Sequence, residues 1–309
     1  MSNSEFYNSN NSLELFGFKR EFNFLKSLID KNRLPKSLLI SGEKGVGKLT
    51  LINHFLCSYL DKQNYDLKNN KVVKDIIHNQ FMNNLHPSVI FLKGSDFSKV
   101  KIDNIRDLKD KILKTSLNNE KRFIILDSVD IFNVNSLNAL LKIIEEPSEN
   151  NFFILTNNNS KKIPETVKSR CIELKIIMKS EDKKFVAQKL LTKFGQKSFF
   201  DYDESLSPGN YLKFNYLIET ININLDDPFI RNLNTLISFY QKKKDLFLID
   251  LIFFILDYNF KKFREKDNIK SEMLISDRLF ISKNIHDFFS LNLSQGALIN
   301  SIQKRFNYV

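Results

Sequence analysis

A glycine-rich stretch near the start of the chain has the residue types and the spacing of a phosphate-binding loop. It is GEKGVGK, and it lies between a predicted strand and a predicted helix. Glycines let successive backbone N–H groups turn toward a phosphate, while the lysine and the helix N-terminus supply positive charge. The candidate nucleotide-binding residues of this stretch are Gly42, Gly45, Gly47, Lys48 and Thr50. The alternative is that the loop survives only as a connection between strand and helix.

Two positions that metal-assisted phosphoryl transfer requires hold unsuitable residues. The residue after Lys48 should carry a hydroxyl that ligates magnesium, and it is Leu49. Thr50 lies one position further along the helix, about 100° around its axis, so its hydroxyl points elsewhere. A buried strand delivers Asp127 as a candidate magnesium ligand, but Ser128 follows where a glutamate would orient the attacking water. We therefore expect ATP and magnesium to bind weakly or not at all, without intrinsic ATPase activity.

The composition limits the class of protein. The 309 residues carry a net charge of +11, which favours a polyanionic partner but fits an AT-rich coding bias equally well. The two cysteines, Cys57 and Cys171, cannot build a disulfide framework or a four-thiolate zinc site, so no zinc is expected. The longest apolar run, 246–256, is too short to span a bilayer. We expect a cytoplasmic protein without a membrane partner.

Strands and helices alternate over the first half of the chain. Short apolar runs that predict buried strands occur at residues 37–41, 89–92, 123–126 and 152–156. Helical patterns follow them, which predicts a parallel sheet with helices on both faces and ligands at the carboxyl ends of the strands. The lysine-rich segment 61–85 is expected to be irregular or to form short helices. Beyond residue 177 the pattern is helical, and residues 247–255 lie in its most apolar helix.

Several blocks of the chain resemble the bacterial clamp-loader subunits of the AAA+ family. The segments NSLNALLKIIEEPSENNFFILT (135–156) and IPETVKSRC (163–171) look like the core of those proteins. Similar blocks stand in the same order at residues 33–35, 42–48, 86–87 and 102–106. The resemblance covers residues 13 to 177, which follow the N-terminal tail. It implies an α/β fold: a RecA-like AAA+ P-loop domain with a parallel sheet, a small helical lid domain and an all-helical C-terminal collar domain.

The element pattern and the resemblance together predict four segments. The first is a mobile tail, because its Asn- and Ser-rich sequence shows no periodicity. The collar is the domain through which the family assembles. The predicted segments are the tail (1–12), the AAA+ P-loop domain (13–178), the lid (179–220) and the collar (221–309).

Where the chain departs from the pattern of the ATP-hydrolysing members, it resembles the delta-prime subunits of DNA polymerase III. ATP-hydrolysing gamma/tau subunits carry a hydroxyl after the loop lysine, an Asp-Glu pair and a four-cysteine zinc module. This chain instead has Leu49, Asp127-Ser128 and a single cysteine in that region, Cys57. Asn210 stands where an active member places its sensor-2 arginine. The resemblance therefore implies degenerate Walker motifs and a subunit that hydrolyses ATP weakly or not at all.

The resemblance also assigns roles to single residues. Arg170 of the Ser-Arg-Cys motif would act as a trans arginine finger, reaching a neighbouring subunit's nucleotide and stabilising charge on the transferred phosphoryl group. The alternative is that Arg170 forms an ordinary surface salt bridge. Thr156 and Asn157 occupy the sensor-1 position, which is expected to be vestigial in a subunit without an active site.

A group of basic residues surrounds the start of a predicted helix that, in clamp loaders, faces the chamber holding primer-template DNA. Direct contact with DNA phosphates is one hypothesis, and a solvated basic face is the other. The candidate DNA-facing residues are Lys99, Lys101, Arg106 and Lys109.

The function implied by the resemblance is that of a stator. Such a subunit would join gamma/tau and delta subunits in a hetero-pentamer and help to load the sliding clamp on primer-template DNA during replication. A first alternative is an ATP-hydrolysing gamma/tau-like motor in which Leu49 and Ser128 are tolerated. A second alternative is a free-standing nucleotide- or DNA-binding regulatory module.

Overall fold

The computed structural model describes residues 12–74, 79–80, 85–92, 112, 121–266 and 271–305. Contacts divide the chain into two compact units, Met1–Gln196 with Phe200–Lys213 and Lys197–Phe199 with Phe214–Val309. The boundary between Lys213 and Phe214 falls inside a single helix, Pro208–Ile221.

The described elements of the first unit alternate between strands and helices. In chain order they are α1 (Lys19–Asp30), β1 (Ser37–Gly42), α2 (Lys48–Leu60), β2 (Tyr65–Asp66), β3 (Lys71–Val72), β4 (Val89–Leu92), β5 (Arg122–Leu126), α3 (Val134–Glu145), β6 (Asn151–Asn157), α4 (Glu165–Lys168), β7 (Ile172–Ile176), α5 (Ser180–Phe194) and the start of α6 (Pro208–Ile221). Short 3-10 helices lie at Lys62–Asn64 and Val129–Ile131.

A five-stranded sheet in the order β4-β5-β6-β1-β7 forms the centre of this unit, and all neighbouring strands are parallel. The pairing sets Leu39 of β1 opposite Leu155 of β6 and Ile125 of β5 opposite Ile154. Every residue of β1, β5 and β6 is buried, which explains why their sequences are nearly continuous apolar runs. The predicted parallel α/β sheet is confirmed.

Helices cover both faces of the sheet because successive side chains of a strand point to opposite sides. Leu38 and Ile40 of β1 belong to the core cluster that contains Phe55 of α2. Leu39, between them, belongs to the other cluster, together with Leu140 of α3. The sheet thus separates two cores, and its carboxyl edge emerges between their helices.

Strand β7 lies at an edge of the sheet and is more exposed than the central strands. It pairs with β1 along one side. Ile172, Glu173 and Lys175 are exposed, and Ile176 is the buried residue of this strand.

A small antiparallel hairpin of β2 and β3 follows α2. The chain just before α1 adds to it, since the Val72 amide donates to the Leu13 carbonyl at 2.8 Å and the Leu15 amide donates to the Asn70 carbonyl at 3.0 Å. The expectation of irregular chain or short helices fits the 3-10 helix Lys62–Asn64 but is wrong for Tyr65–Asp66 and Lys71–Val72, which pair as strands.

Among the described residues of the second unit, the regular elements are helices joined by short loops. Besides the end of α6, its helices are α7 (Phe229–Lys243), α8 (Phe247–Lys266), α9 (Ser271–Leu291) and α10 (Gln295–Arg305). Helix α7 contacts α8 and α10, and α9 contacts the same two helices. Leu251, Ile252 and Ile255 of α8 are fully buried, as the apolar pattern of this segment predicts. None of the described helices combines the length and the apolarity needed to cross a membrane.

Candidate nucleotide site and arginine finger

The glycine-rich loop connects β1 to α2 at the carboxyl edge of the sheet. Gly45 and Gly47 have φ angles of 80° and 109°, a region that glycine adopts without steric cost. Gly42 lies against β7, where an added Cβ would approach the carbonyl oxygen of Ile176 to 2.7 Å. Thr50 is half-buried in the first turn of α2. The loop therefore has the backbone of a phosphate cradle, with glycine at the positions where the backbone requires it.

Lys48 points back onto the loop. Its Nζ donates to the carbonyl oxygens of Gly42 and Glu43, each at 2.8 Å, and its side chain is buried. Burial lowers the pKa of Lys48 to about 8, although Asp127, Asp130 and Glu43 act in the opposite direction. Because an ammonium group has three N–H donors, two are already used by the loop's own backbone. One N–H donor of Lys48 therefore remains for a bound phosphate.

The first turn of α6 packs on the same loop. The Gly209 amide donates to the Gly45 carbonyl at 3.0 Å. A Cβ added at Gly45 would lie 2.4 Å from Ser207 Oγ and 2.5 Å from Asn210 Oδ1. Asn210, which replaces the expected sensor-2 arginine, thus lies directly against the loop and offers an amide instead of a cation.

An ion pair also joins the loop to α5. Glu43 and Lys183 approach to 2.5 Å. The glycine-rich loop is therefore held in place by α5, through Lys183, and by α6, through Gly209.

Asp127 and Thr156 bring the ends of β5 and β6 together. Thr156 Oγ1 donates to Asp127 Oδ1 at 2.7 Å and accepts from the Ser128 amide at 2.7 Å. Burial raises the pKa of Asp127, and the Thr156 hydrogen bond offsets part of this effect. Asn158 Nδ2 donates to Ser128 Oγ at 2.8 Å. The position of the missing glutamate thus holds a hydroxyl that is already hydrogen-bonded.

Asn157 is turned toward β1 and the following loop. Its Nδ2 donates to Ser41 Oγ at 3.2 Å and to Asn159 Oδ1 at 2.8 Å, and its side chain is buried. Of the two sensor-1 candidates, Thr156 contacts Asp127, whereas Asn157 links the end of β1 to the loop after β6.

Asp130 is a further charged residue that the sequence analysis did not select. It is buried and accepts from the amides of Asn158 and Ser160 at 3.1 and 3.0 Å. The signal was the second aspartate of the DSVD segment, three residues after Asp127. Asp130 fixes the loop after β6 beside the site and adds negative charge near Lys48.

A cleft of about 440 Å³ borders the loop on the β7 side. This volume lies in the range of sites that hold small molecules. Polar and basic side chains that line it include Ser41, Glu43, Asn157, Lys168, Lys175 and Lys183. Glu173 also lines it. Glu43 pairs with Lys183 and Glu173 pairs with Lys175, so the cleft carries little net positive charge.

Arg170 is paired within its own chain. Its Nε donates to Glu145 Oε1 at 2.6 Å, and Nη2 forms an ion pair with the same oxygen. Nη1 donates to the Thr166 carbonyl at 2.9 Å and lies 3.4 Å from Ser169 Oγ. The Arg170 side chain is 35% exposed, so it can be reached from solvent. The salt bridge that the sequence offered as an alternative is thus present in the single chain.

Metal ligands are scattered in the part of the chain that the structure describes, where no three or more His, Cys, Asp or Glu side chains form a group able to hold an ion. Burial raises the pKa of the Cys57 thiol to about 12 and that of Cys171 to about 11. Both thiols are therefore protonated near neutral pH and are poor metal ligands. The DNA-facing candidates Lys99, Lys101, Arg106 and Lys109 lie outside the described residues.

Comparison with known proteins identifies the family. The family model described as DNA polymerase III, delta subunit matches residues 18–180. The gamma subunit of Buchnera aphidicola subsp. Acyrthosiphon pisum is 28% identical over 247 residues, which are 77% of this chain and 66% of that protein. The delta' subunit of Bacillus subtilis is 26% identical over 276 residues, which are 86% of this chain and 76% of that protein.

Coverage varies among the other relatives. The delta' subunit of Pseudomonas aeruginosa is 32% identical over 89 residues, 28% of this chain and 27% of that protein. The chain spans 45% of the gamma subunit of Buchnera aphidicola subsp. Schizaphis graminum. Among solved structures, a DNA polymerase III gamma subunit-related protein of Thermotoga maritima has a TM-score of 0.48 and 15% identity, covering 92% of this chain and 97% of that one.

The family model covers more than half of the chain, and its matched region contains the glycine-rich loop, Asp127 and Arg170. The predicted resemblance is confirmed. The chain therefore belongs to the DNA polymerase III delta-subunit family, as a delta-prime-like member of the bacterial clamp-loader AAA+ proteins.

Proposed function

We propose that this clamp-loader subunit acts as a stator that does not hydrolyse ATP itself and that supplies Arg170 to the ATP site of a neighbouring subunit. The observation that carries the proposal is that Ser128 stands at the position of the water-orienting carboxylate, with its hydroxyl hydrogen-bonded to Asn158 Nδ2 at 2.8 Å. The chain's own site therefore lacks that carboxylate, whereas the Arg170 side chain is 35% exposed.

Three further features support an inactive site of its own. Leu49 removes the hydroxyl ligand for magnesium. Asp127 Oδ1 already accepts a hydrogen bond from Thr156 at 2.7 Å, so one of its two oxygens is occupied. Asn210 supplies no positive charge. Magnesium and ATP would therefore bind at this site weakly or not at all.

Arg170 has the chemistry that a trans finger needs. A guanidinium is a cation that offers a planar set of N–H donors to phosphate oxygens. In a neighbouring active site, such a fixed cation stabilises charge that develops on the transferred phosphoryl group. Catalysis would then be completed across the boundary between two subunits.

The proposed partners follow from the relatives. These relatives are subunits called gamma, delta' and tau of DNA polymerase III. We expect the chain to assemble with gamma/tau and delta subunits in a cytoplasmic hetero-pentamer that loads the sliding clamp on primer-template DNA. Contacts with DNA would come from the basic group at residues 99–109, in line with the net charge of +11.

The test is an Arg170→Ala subunit in a complex reconstituted with gamma/tau and delta. Hydrolysis at the neighbouring site should fall by about 10³-fold or more, because arginine fingers contribute on this order. Steady-state ATP hydrolysis and clamp loading on primed DNA provide the measurement. Arg231→Ala is the matched control, since Arg231 is an exposed arginine paired with Asp227 in the second unit. Full activity of the Arg170→Ala complex would rule out the finger.

An ATP-hydrolysing gamma/tau-like motor is the second candidate. The match to a gamma subunit over 77% of this chain favours it. ATP hydrolysis by the isolated chain decides between the two, because a motor would hydrolyse ATP alone and the proposed stator would not.

A further inference from the structure

The guanidinium of Arg170 is held on three sides by its own chain. Glu145 accepts from Nε at 2.6 Å and also pairs with Nη2. The Thr166 carbonyl accepts from Nη1 at 2.9 Å, and Ser169 Oγ lies 3.4 Å from the same nitrogen. Each of the three nitrogens therefore has a partner, although the guanidinium has five N–H donors in total. A phosphate that binds through Nε and Nη2 must first displace Glu145.

Glu145 is the partner with the greatest influence. It is the last residue of α3, and the side chain reaches Arg170 just after α4. The carboxylate occupies the side of the guanidinium formed by Nε and Nη2, one of the sides through which arginine binds a phosphate in bidentate fashion. It also neutralises the charge of the arginine. A phosphate of a neighbouring nucleotide and the Glu145 carboxylate are thus alternative ligands for the same donors.

We infer that Glu145 is a positioning residue that pairs with Arg170 within its own subunit. When the two subunits meet, the pair breaks and Arg170 binds the phosphate of the neighbour's nucleotide instead. This inference rests on the finger role proposed above. Both side chains are partly exposed, 35% for Arg170 and 42% for Glu145, so solvent weakens the pair and the exchange needs little free energy. The held state keeps the guanidinium ordered while no nucleotide is within reach.

The test uses Glu145→Gln in the complex reconstituted with gamma/tau and delta. Glutamine keeps the length of the side chain and removes the charge. The expected result is an increase of about 2- to 5-fold in kcat/KM for ATP, the range of a partly exposed ion pair. The increase should shrink as salt is added, because salt already weakens the pair in the unmodified protein.

Glu146→Gln is the matched control. It removes the same charge from the next residue, which is exposed and shows no ion pair among the residues that the structure describes. If Glu145 acts through Arg170, Glu146→Gln leaves kcat/KM unchanged. In an Arg170→Ala background, Glu145→Gln should have no effect on kcat/KM.

The outcomes separate the two proposals. If Arg170→Ala leaves the ATPase intact, the finger itself is wrong. If Arg170→Ala abolishes the ATPase but Glu145→Gln leaves kcat/KM unchanged or lowers it, the finger stands and the holding role of Glu145 is overturned. An effect of Glu145→Gln that persists in the Arg170→Ala background would show a merely structural role, and it would also overturn the inference.

Discussion

The amide of Gly209 donates a 3.0 Å hydrogen bond to the carbonyl oxygen of Gly45, joining the start of α6 to the glycine-rich loop. A Cβ at Gly209 would lie 2.5 Å from that same oxygen, closer than real Cβ atoms approach. Glycine is therefore needed at position 209 because of contact with the loop. Helix α6 and the loop pack so closely here that a side chain larger than that of glycine at position 209 would force them apart.

Gly209→Ala is expected to destabilise the protein by about 1–3 kcal/mol, the usual cost of forcing extra volume into a packed contact. The alanine pushes the start of α6 away from the loop, so the midpoint of denaturant unfolding should fall. Gly296→Ala is the control, because a Cβ there meets no atom within 4 Å and alanine favours helices. Equal midpoints for the two variants would show that the contact between Gly209 and Gly45 contributes nothing to stability.

Lys48 predicts a particular dependence of stability on pH. Its pKa is about 8 in the folded chain, below the ordinary value of 10.5, so between these pH values the unfolded chain binds more protons than the folded one. The free energy of unfolding should therefore rise with pH in this window, by at most about 1.4 kcal/mol per pH unit from this group.

Lys48→Met removes this contribution. The difference in unfolding free energy between the unmodified protein and the variant should grow in favour of the unmodified protein from pH 8 to pH 10. Lys161→Met, at an exposed lysine, serves as the comparison and should show a constant difference. A constant difference for Lys48→Met as well would mean that the buried lysine titrates as it does in water.

Asp127→Asn is expected to stabilise the protein by about 1 kcal/mol at pH 7, because it removes a carboxylate whose charged form is disfavoured by burial. The asparagine carbonyl can still accept from Thr156. For the unmodified protein, a raised pKa means that stability contributed by this group is lost as pH rises from 3.8 through the folded pKa.

Urea unfolding of both proteins at pH 4 and pH 7 measures the effect, which should be larger at pH 7. The ATPase of the reconstituted complex should not change, since Asp127 has no role in hydrolysis under the proposed function. A less stable Asp127→Asn protein, or a complex with impaired ATPase, would contradict this expectation.

The sheet could be predicted from the sequence because its central strands are buried on both faces. Residues 123–126 and 152–156 have the uninterrupted apolar character that such burial requires. The hairpin at 65–72 was missed, since its two-residue strands are too short to show alternation. Its turn depends on Asn70, which takes a positive φ of 48°, and on Asp66, which accepts from the Lys68 amide. Such local contacts leave little trace in a periodic pattern.

The candidate site could be predicted in its residues but not in its contacts. The spacing from Gly42 to Lys48 fixes where the loop lies, because glycines and a helix start are local signals. The direction of the Lys48 side chain depends on burial and on neighbouring carboxylates, which are known only once the chain has folded. The pair between Glu145 and Arg170 joins the ends of two helices that the sequence does not place in contact. Long-range contacts of this kind follow from tertiary packing.

The exposed edge strand β7 also bears on the tendency of the protein to aggregate. An unpaired strand edge is a template for intermolecular pairing, which leads to aggregation. Glu173 and Lys175 place charges of both signs along this edge, and charged side chains disfavour docking of another apolar strand. Arg170, two residues before this strand, can therefore lie on an exposed surface while the charged edge disfavours strand pairing with a second molecule.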